Sequence, residues 1–176
     1  MALYRGRRDE ARALLDEALD VARQTDIGFH LMDRIYGTRI ALADDPRAAF
    51  SALQDAEDAV RGPLETCPGC RITFAVPAAI AAARACNPER MEQYERAVDY
   101  LANVVMRLPA WYAAHDEVRG HLALARGEPQ SIATSAFTAA AAKFRQAGQL
   151  LDATRCEALA ARPPDTAQDR ENRPLS

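Results

Sequence analysis

The sequence predicts an all-α fold built from antiparallel helical hairpins stacked side by side, and three observations predict it. Apolar residues recur every three or four positions through nearly the whole chain, the spacing that puts one stripe on one helix face. Pro46, Pro88, Pro109 and Pro129 each open such a period; proline suits the first helical position, where its missing N–H would be unpaired anyway. Aromatic residues make up only 6% of the chain, while alanine, arginine and leucine dominate, and these lose little conformational freedom in a helix.

Taken in order, Ala11, Leu14, Leu15, Ala18 and Val21 form the first stripe and predict a helix over 7–24, followed by one over 28–43. Asp45 before Pro46 offers a cap for a helix over 46–61, whose stripe is Phe50, Leu53, Ala56 and Val60. The Gly- and Pro-containing segment 61–69 reads as the one longer loop. The apolar stretch from Ile72 to Cys86 is broken by Pro77 and Arg84 and falls short of the ~20 residues that cross a bilayer, so it predicts a buried helix over 69–85. Asn87 and Pro88 open a helix over 88–107 with Val98, Leu101 and Val105 on its stripe, which Leu108 continues. Three more follow over 109–126, 129–147 and 149–161. Short connections make consecutive helices antiparallel neighbours. The run 163–176 has no apolar period and reads as a disordered tail, leaving a helical domain over 1–162.

With 176 residues and 49% hydrophobic content the chain can bury a core of its own. The 22 basic and 25 acidic residues are interspersed, which leaves no basic face for nucleic acid. The N-terminus runs straight into a charged helical pattern with no apolar leader, so a cytoplasmic location and no membrane attachment are expected. Four cysteines make no disulfide framework.

A weak repeat underlies the periodicity. Gly6 is followed at five and twelve residues by Ala11 and Ala18, Asp44 by Ala49 and Ala56, Gly127 by Ile132 and Ala139, and Cys86, in a degenerate copy, by Met91 and Val98. The copies start about 38, 41 and 42 residues apart, longer than the roughly 34 of a standard tetratricopeptide repeat. The stretch Glu65–Ala85, the segment Asp116–Ala123 and the run Phe144–Gln149 resemble the tetratricopeptide-like C-terminal region of large bacterial ATP-dependent transcriptional regulators of the LuxR and MalT kind, and the similar parts cover most of residues 3–160. The resemblance implies a short right-handed solenoid that acts as the sensing or docking part of such a regulator. The chain carries no G-x-x-x-x-G-K-[ST] loop for the ATPase and no basic helix pair for DNA.

Arrays of this kind bind in the groove lined by the first helix of each hairpin, here 28–43, 69–85 and 109–126. The candidate binding residues are Arg34, Tyr36, Arg39, Arg71, Trp111, Tyr112, His115 and Arg119: arginine forks suit a carboxylate or phosphate, and the aromatic rings offer flat contact surface. Tyr36 and Trp111 read equally as core residues, and the arginines as solvated charges. Cys67-Pro68-Gly69-Cys70 leaves three readings open: two ordinary thiols at a helix start, half of a metal site with His115 or His121 as a distant ligand, or a redox pair. His30, His115 and His121 form no catalytic set, and neither a G-x-S-x-G turn nor a glycine-rich loop after a strand occurs. The expectation is therefore a non-catalytic module without a cofactor. Its partner would be another protein or a further domain of its parent chain. Two other readings are a small-effector sensor, which an apolar pocket holding an arginine and an aromatic would favour, and a zinc- or thiol-responsive switch. A homodimer through the start of the array near Leu3 and Tyr4 is a further expectation.

Overall fold

Caps written into the sequence decide where the helices begin. The computed structural model describes residues 5–60 and 67–163, apart from the side chain of Phe29. These fold as α1 (Arg8–Arg23), α2 (Phe29–Leu42), α3 (Pro46–Ala59), α4 (Pro68–Arg84), α5 (Pro88–Asp99), α6 (Pro109–Ala125), α7 (Gln130–Gln146) and α8 (Leu150–Ala160), with a π-helical segment, Tyr100–Met106, continuing α5. No described residue lies in a strand. The expected tail from residue 164 onward, most of the 61–69 loop, and the dimer contact at Leu3 and Tyr4 lie outside the described residues. Asp45 accepts a 2.8 Å bond from the Ala48 N–H, and Asn87 a 3.0 Å bond from that of Arg90. Each cap contributes about 1 kcal/mol. Pro129 is itself the residue before α7, which begins at Gln130, one position after the predicted start.

Helix ends explain the small residues of the repeat. Gly6, Cys86 and Gly127, which mark three of its four copies, all have positive φ. At Cys86 and Gly127 the chain closes the preceding helix in the same way: the amide of the positive-φ residue bonds back three residues, to Ala83 and Leu124, and the next amide bonds back five, to Ala82 and Ala123. This closure wants glycine, which has no Cβ to clash in the left-handed region. Cys86, at φ 52°, is strained there. Replacing Cys86 with glycine is expected to stabilise the fold by roughly 0.5–1 kcal/mol, read as a melting temperature higher by a few degrees.

The even-numbered helices form a row, α2 packing along α4 and α4 against α6, while α1, α3, α5 and α7 each pack against their even-numbered neighbours. Helix α4 is enclosed on most of its circumference, burying Ile72, Phe74, Ala75, Ala78, Ala79 and Ala81 through Ala83. One core cluster runs from Leu19 in α1 to Leu122 in α6, and smaller ones join α6, α7 and α8. Glycines set two of the close approaches. A Cβ at Gly37 would sit 2.2 Å from the Thr73 carbonyl oxygen of α4, and one at Gly120 would sit 2.5 Å from the Phe137 ring of α7.

Two predicted stripes are corrected. In α1 the buried residues are Ala11, Leu19 and Ala22, with Leu15 half-buried; Leu14, Ala18 and Val21 face solvent. The first helix packs chiefly against α2, so only a narrow stripe is covered. At the end of α5, Val98 and Leu101 are buried as expected, but Val105 and Leu108 are exposed and Ala102 and Met106 face inward instead. The cause is the π segment. Its wider turn, closed by the Arg107 amide on Ala102 O, delays the rotation of the stripe relative to an α-helix.

Candidate functional site

Successive odd-numbered helices leave gaps between them, and one gap is a cleft bounded by α3, α4 and α5. Its volume is about 510 Å³. Val60, Phe74, Ala75, Ala97 and Leu101 give it an apolar floor, and Tyr94, Tyr100 and Arg71 line it beside them. Phe74 meets Tyr94 edge to face with ring centroids 6.0 Å apart. One wall is fixed by polar contacts: Arg90 donates from Nε and Nη2 to Glu57 Oε2 at 3.2 and 3.0 Å, and the Tyr94 hydroxyl donates to Glu57 Oε1 at 2.8 Å. Burial and the Glu57 carboxylate push the Tyr94 hydroxyl pKa well up, so it stays a donor. The opposite element carries Arg71, whose contact with Asp33 Oδ1 is a loose 3.5 Å, leaving donors on its guanidinium for a ligand. A second, smaller gap of about 250 Å³ lies between α1, α2 and α3.

The eight candidate groove residues do not meet at one place. Arg34 is exposed on α2. Tyr36 is buried in the core, and Arg39 stands 6.0 Å over its ring while pairing with Asp16 of α1. Arg71 lines the α3–α4–α5 cleft. Trp111 packs into the core between two clusters. Tyr112 is half-buried, His115 lies 3.4 Å from Asp99 of α5, and Arg119 is 3.8 Å from Asp116 of its own helix. The physical reason is that each even-numbered helix is surrounded by neighbours, so adjacent polar positions on it turn toward different partners.

Sequence reasoning missed the cleft because Glu57, Arg90 and Tyr94 sit on α3 and α5, outside the helices expected to bind. It also missed the buried acids. Asp33 and Glu117 are 1% and 2% exposed, and each pairs with an arginine 38 residues on, Arg71 and Arg155. The second pair recurs two repeats after the first, and that recurrence was the signal available in the sequence.

At the start of α4, Cys67 caps the helix and accepts a bond from the Cys70 amide at 3.2 Å, with the two sulfurs 2.7 Å apart. Cys67 is exposed and Cys70 buried. The Cys70 thiol and amide bonds and the positive charge of Arg34 lower the Cys67 pKa, while burial raises that of Cys70 to about 11. Among the described residues no group of three or more His, Cys, Asp and Glu side chains is placed to hold a metal. His121, named above as a distant ligand, packs edge to face on Phe137, and burial pushes its pKa down to about 4. Burial lowers the His115 pKa, against the opposing pull of Asp99 3.4 Å away.

Comparison with family models, with curated proteins and with solved structures finds no match to this chain. What the molecule does is therefore read from its own residues. Among those described, no helix is long and apolar enough to cross a membrane.

Proposed function

We propose that the chain is a tetratricopeptide-like helical-repeat binding module that docks another protein, or another domain of its parent chain, by shape complementarity and without bond chemistry at the docking surface. The observation that carries this reading is the α3–α4–α5 cleft, an apolar trough with an arginine and two tyrosines on its walls, the composition expected of a contact anchor. Tyr100 is 58% exposed at its edge, and Val104 and Leu108 are exposed apolar side chains further along the same stretch of chain. The stacking of α2, α4 and α6 supports the solenoid reading, and the resemblance to LuxR- and MalT-type regulators supports a sensing or docking role. The same cleft favours a second reading, a small effector with an apolar body and an anionic group opposite Arg71, because the pocket holds both an arginine and aromatics.

The test is capture of partners from the source lysate by the tagged full chain, compared with Tyr100→Asp in the cleft and Arg119→Glu away from it. Tyr100→Asp is expected to cost about 2 kcal/mol, or roughly thirtyfold in recovery, with Arg119→Glu unchanged. Equal recovery by all three chains would end the cleft reading. A ligand of small mass that raises the melting temperature of the parent chain but not of Tyr100→Asp would favour the effector.

A further inference from the structure

We propose that the pair at the start of α4, Cys67 and Cys70, is a thiol–disulfide exchange centre, with Cys67 the attacking sulfur and Cys70 the resolving one. The proposal is independent of what fills the α3–α4–α5 cleft.

Two features of the geometry carry it. First, the sulfurs are 2.7 Å apart across a Pro-Gly turn, against about 2.05 Å in a disulfide, so the bond can close with little backbone movement. Second, the two thiols are unequal in the way exchange needs. Cys67 is exposed at the N-terminus of a 17-residue helix, where backbone amides and the helix dipole favour a thiolate; Cys70 is buried one turn in, out of reach of a large substrate.

The substrate class is a disulfide, R–S–S–R′. The Cys67 thiolate attacks one sulfur, forming a mixed disulfide Cys67–S–S–R and expelling R′–S⁻. Cys70 then gives its proton to water and attacks Cys67 Sγ, expelling R–S⁻ and closing the Cys67–Cys70 disulfide. The expelled thiolates each take up a proton from water. Two electrons pass from the cysteine pair to the substrate, which leaves as two thiols; a dithiol reductant runs the steps backwards.

The experiment equilibrates the full chain in glutathione buffers of graded ratio, quenches with an alkylating agent and reads peptide masses. The expected result is a two-hydrogen loss confined to the peptide holding Cys67 and Cys70, with Cys86 and Cys156 alkylated. With Cys70→Ser, glutathione disulfide should leave a stable mixed disulfide on Cys67; with Cys67→Ser, none should accumulate on Cys70. The proposal is overturned if the pair stays reduced at every glutathione ratio at which other exposed thiols are modified, or if purified protein retains one zinc per chain lost on Cys67→Ser.

Discussion

Alanine at Gly37 is expected to destabilise the fold by about 3 kcal/mol, although in an exposed helix interior the same change would add about 1 kcal/mol through helix propensity. The reason is a matched pair of residues on facing helices. Pro77, inside α4, has no N–H to give the carbonyl four residues back, and its ring pushes that carbonyl aside. That carbonyl belongs to Thr73. Gly37 of α2 is the residue that approaches it: an added Cβ would lie 2.2 Å from Thr73 O and 2.9 Å from Phe74 Cα. Both are backbone atoms, so no rotamer change relieves the clash and α2 must move away from α4. By contrast, the nearest atoms to a Cβ at Gly120 belong to the Phe137 ring, which can shift within its packing, so alanine there should cost less. Urea denaturation gives the first number. Pro77→Ala in the Gly37→Ala background then tests the cause, because restoring the missing bond should draw the carbonyl back and recover part of the loss. Strict additivity of the two changes would separate them.

This pairing shows how much was legible beforehand. All eight helices could be placed from apolar period and proline position, because Asp45, Asn87 and the left-handed residues Cys86 and Gly127 act locally, within a few residues of the ends they define. The Leu14 and Val105 stripes were misassigned for opposite reasons. Leu14 obeys helical spacing, but its side of α1 meets no other described helix; Val105 obeys α-helical spacing in a segment that is not α-helical. Neither is a local property. Binding residues were the least legible. Which of Arg34, Arg39, Arg71 and Arg119 faces a cleft depends on where α1, α3 and α5 lie around each even-numbered helix, and a solvated arginine has the same sequence signature as one held by Asp16 or Asp33. Cys67 and Cys70 were visible as a motif, but the approach of their sulfurs to 2.7 Å and their unequal exposure are products of how α4 starts and packs.

Arg155→Ala is expected to cost about 3 kcal/mol, because it leaves a buried anion behind. Glu117 of α6 is 2% exposed and receives two parallel bonds from Arg155 of α8, Nε to Oε1 at 2.8 Å and Nη2 to Oε2 at 2.7 Å. Breaking a buried pair from one side costs about 3–5 kcal/mol; the low end applies because the Arg155 side chain is 46% exposed and water can enter once it is gone. The neighbourhood offers no replacement charge. Ala113, Ala153 and Cys156 pack alongside as part of the α6–α7–α8 core, and burial together with the Glu117 charge pushes the Cys156 thiol up to about 12, so it stays a neutral thiol. The complementary change separates charge from shape. Glu117→Met with Arg155→Met removes both charges at similar volume and should restore most of the stability, since a well-packed apolar pair is often as good as a buried ion pair. Denaturant midpoints of the single and double variants give the coupling energy directly. A single Arg155→Ala loss under 1 kcal/mol would mean that water, not the arginine, satisfies Glu117, and that α8 is held to α6 by its apolar contacts alone.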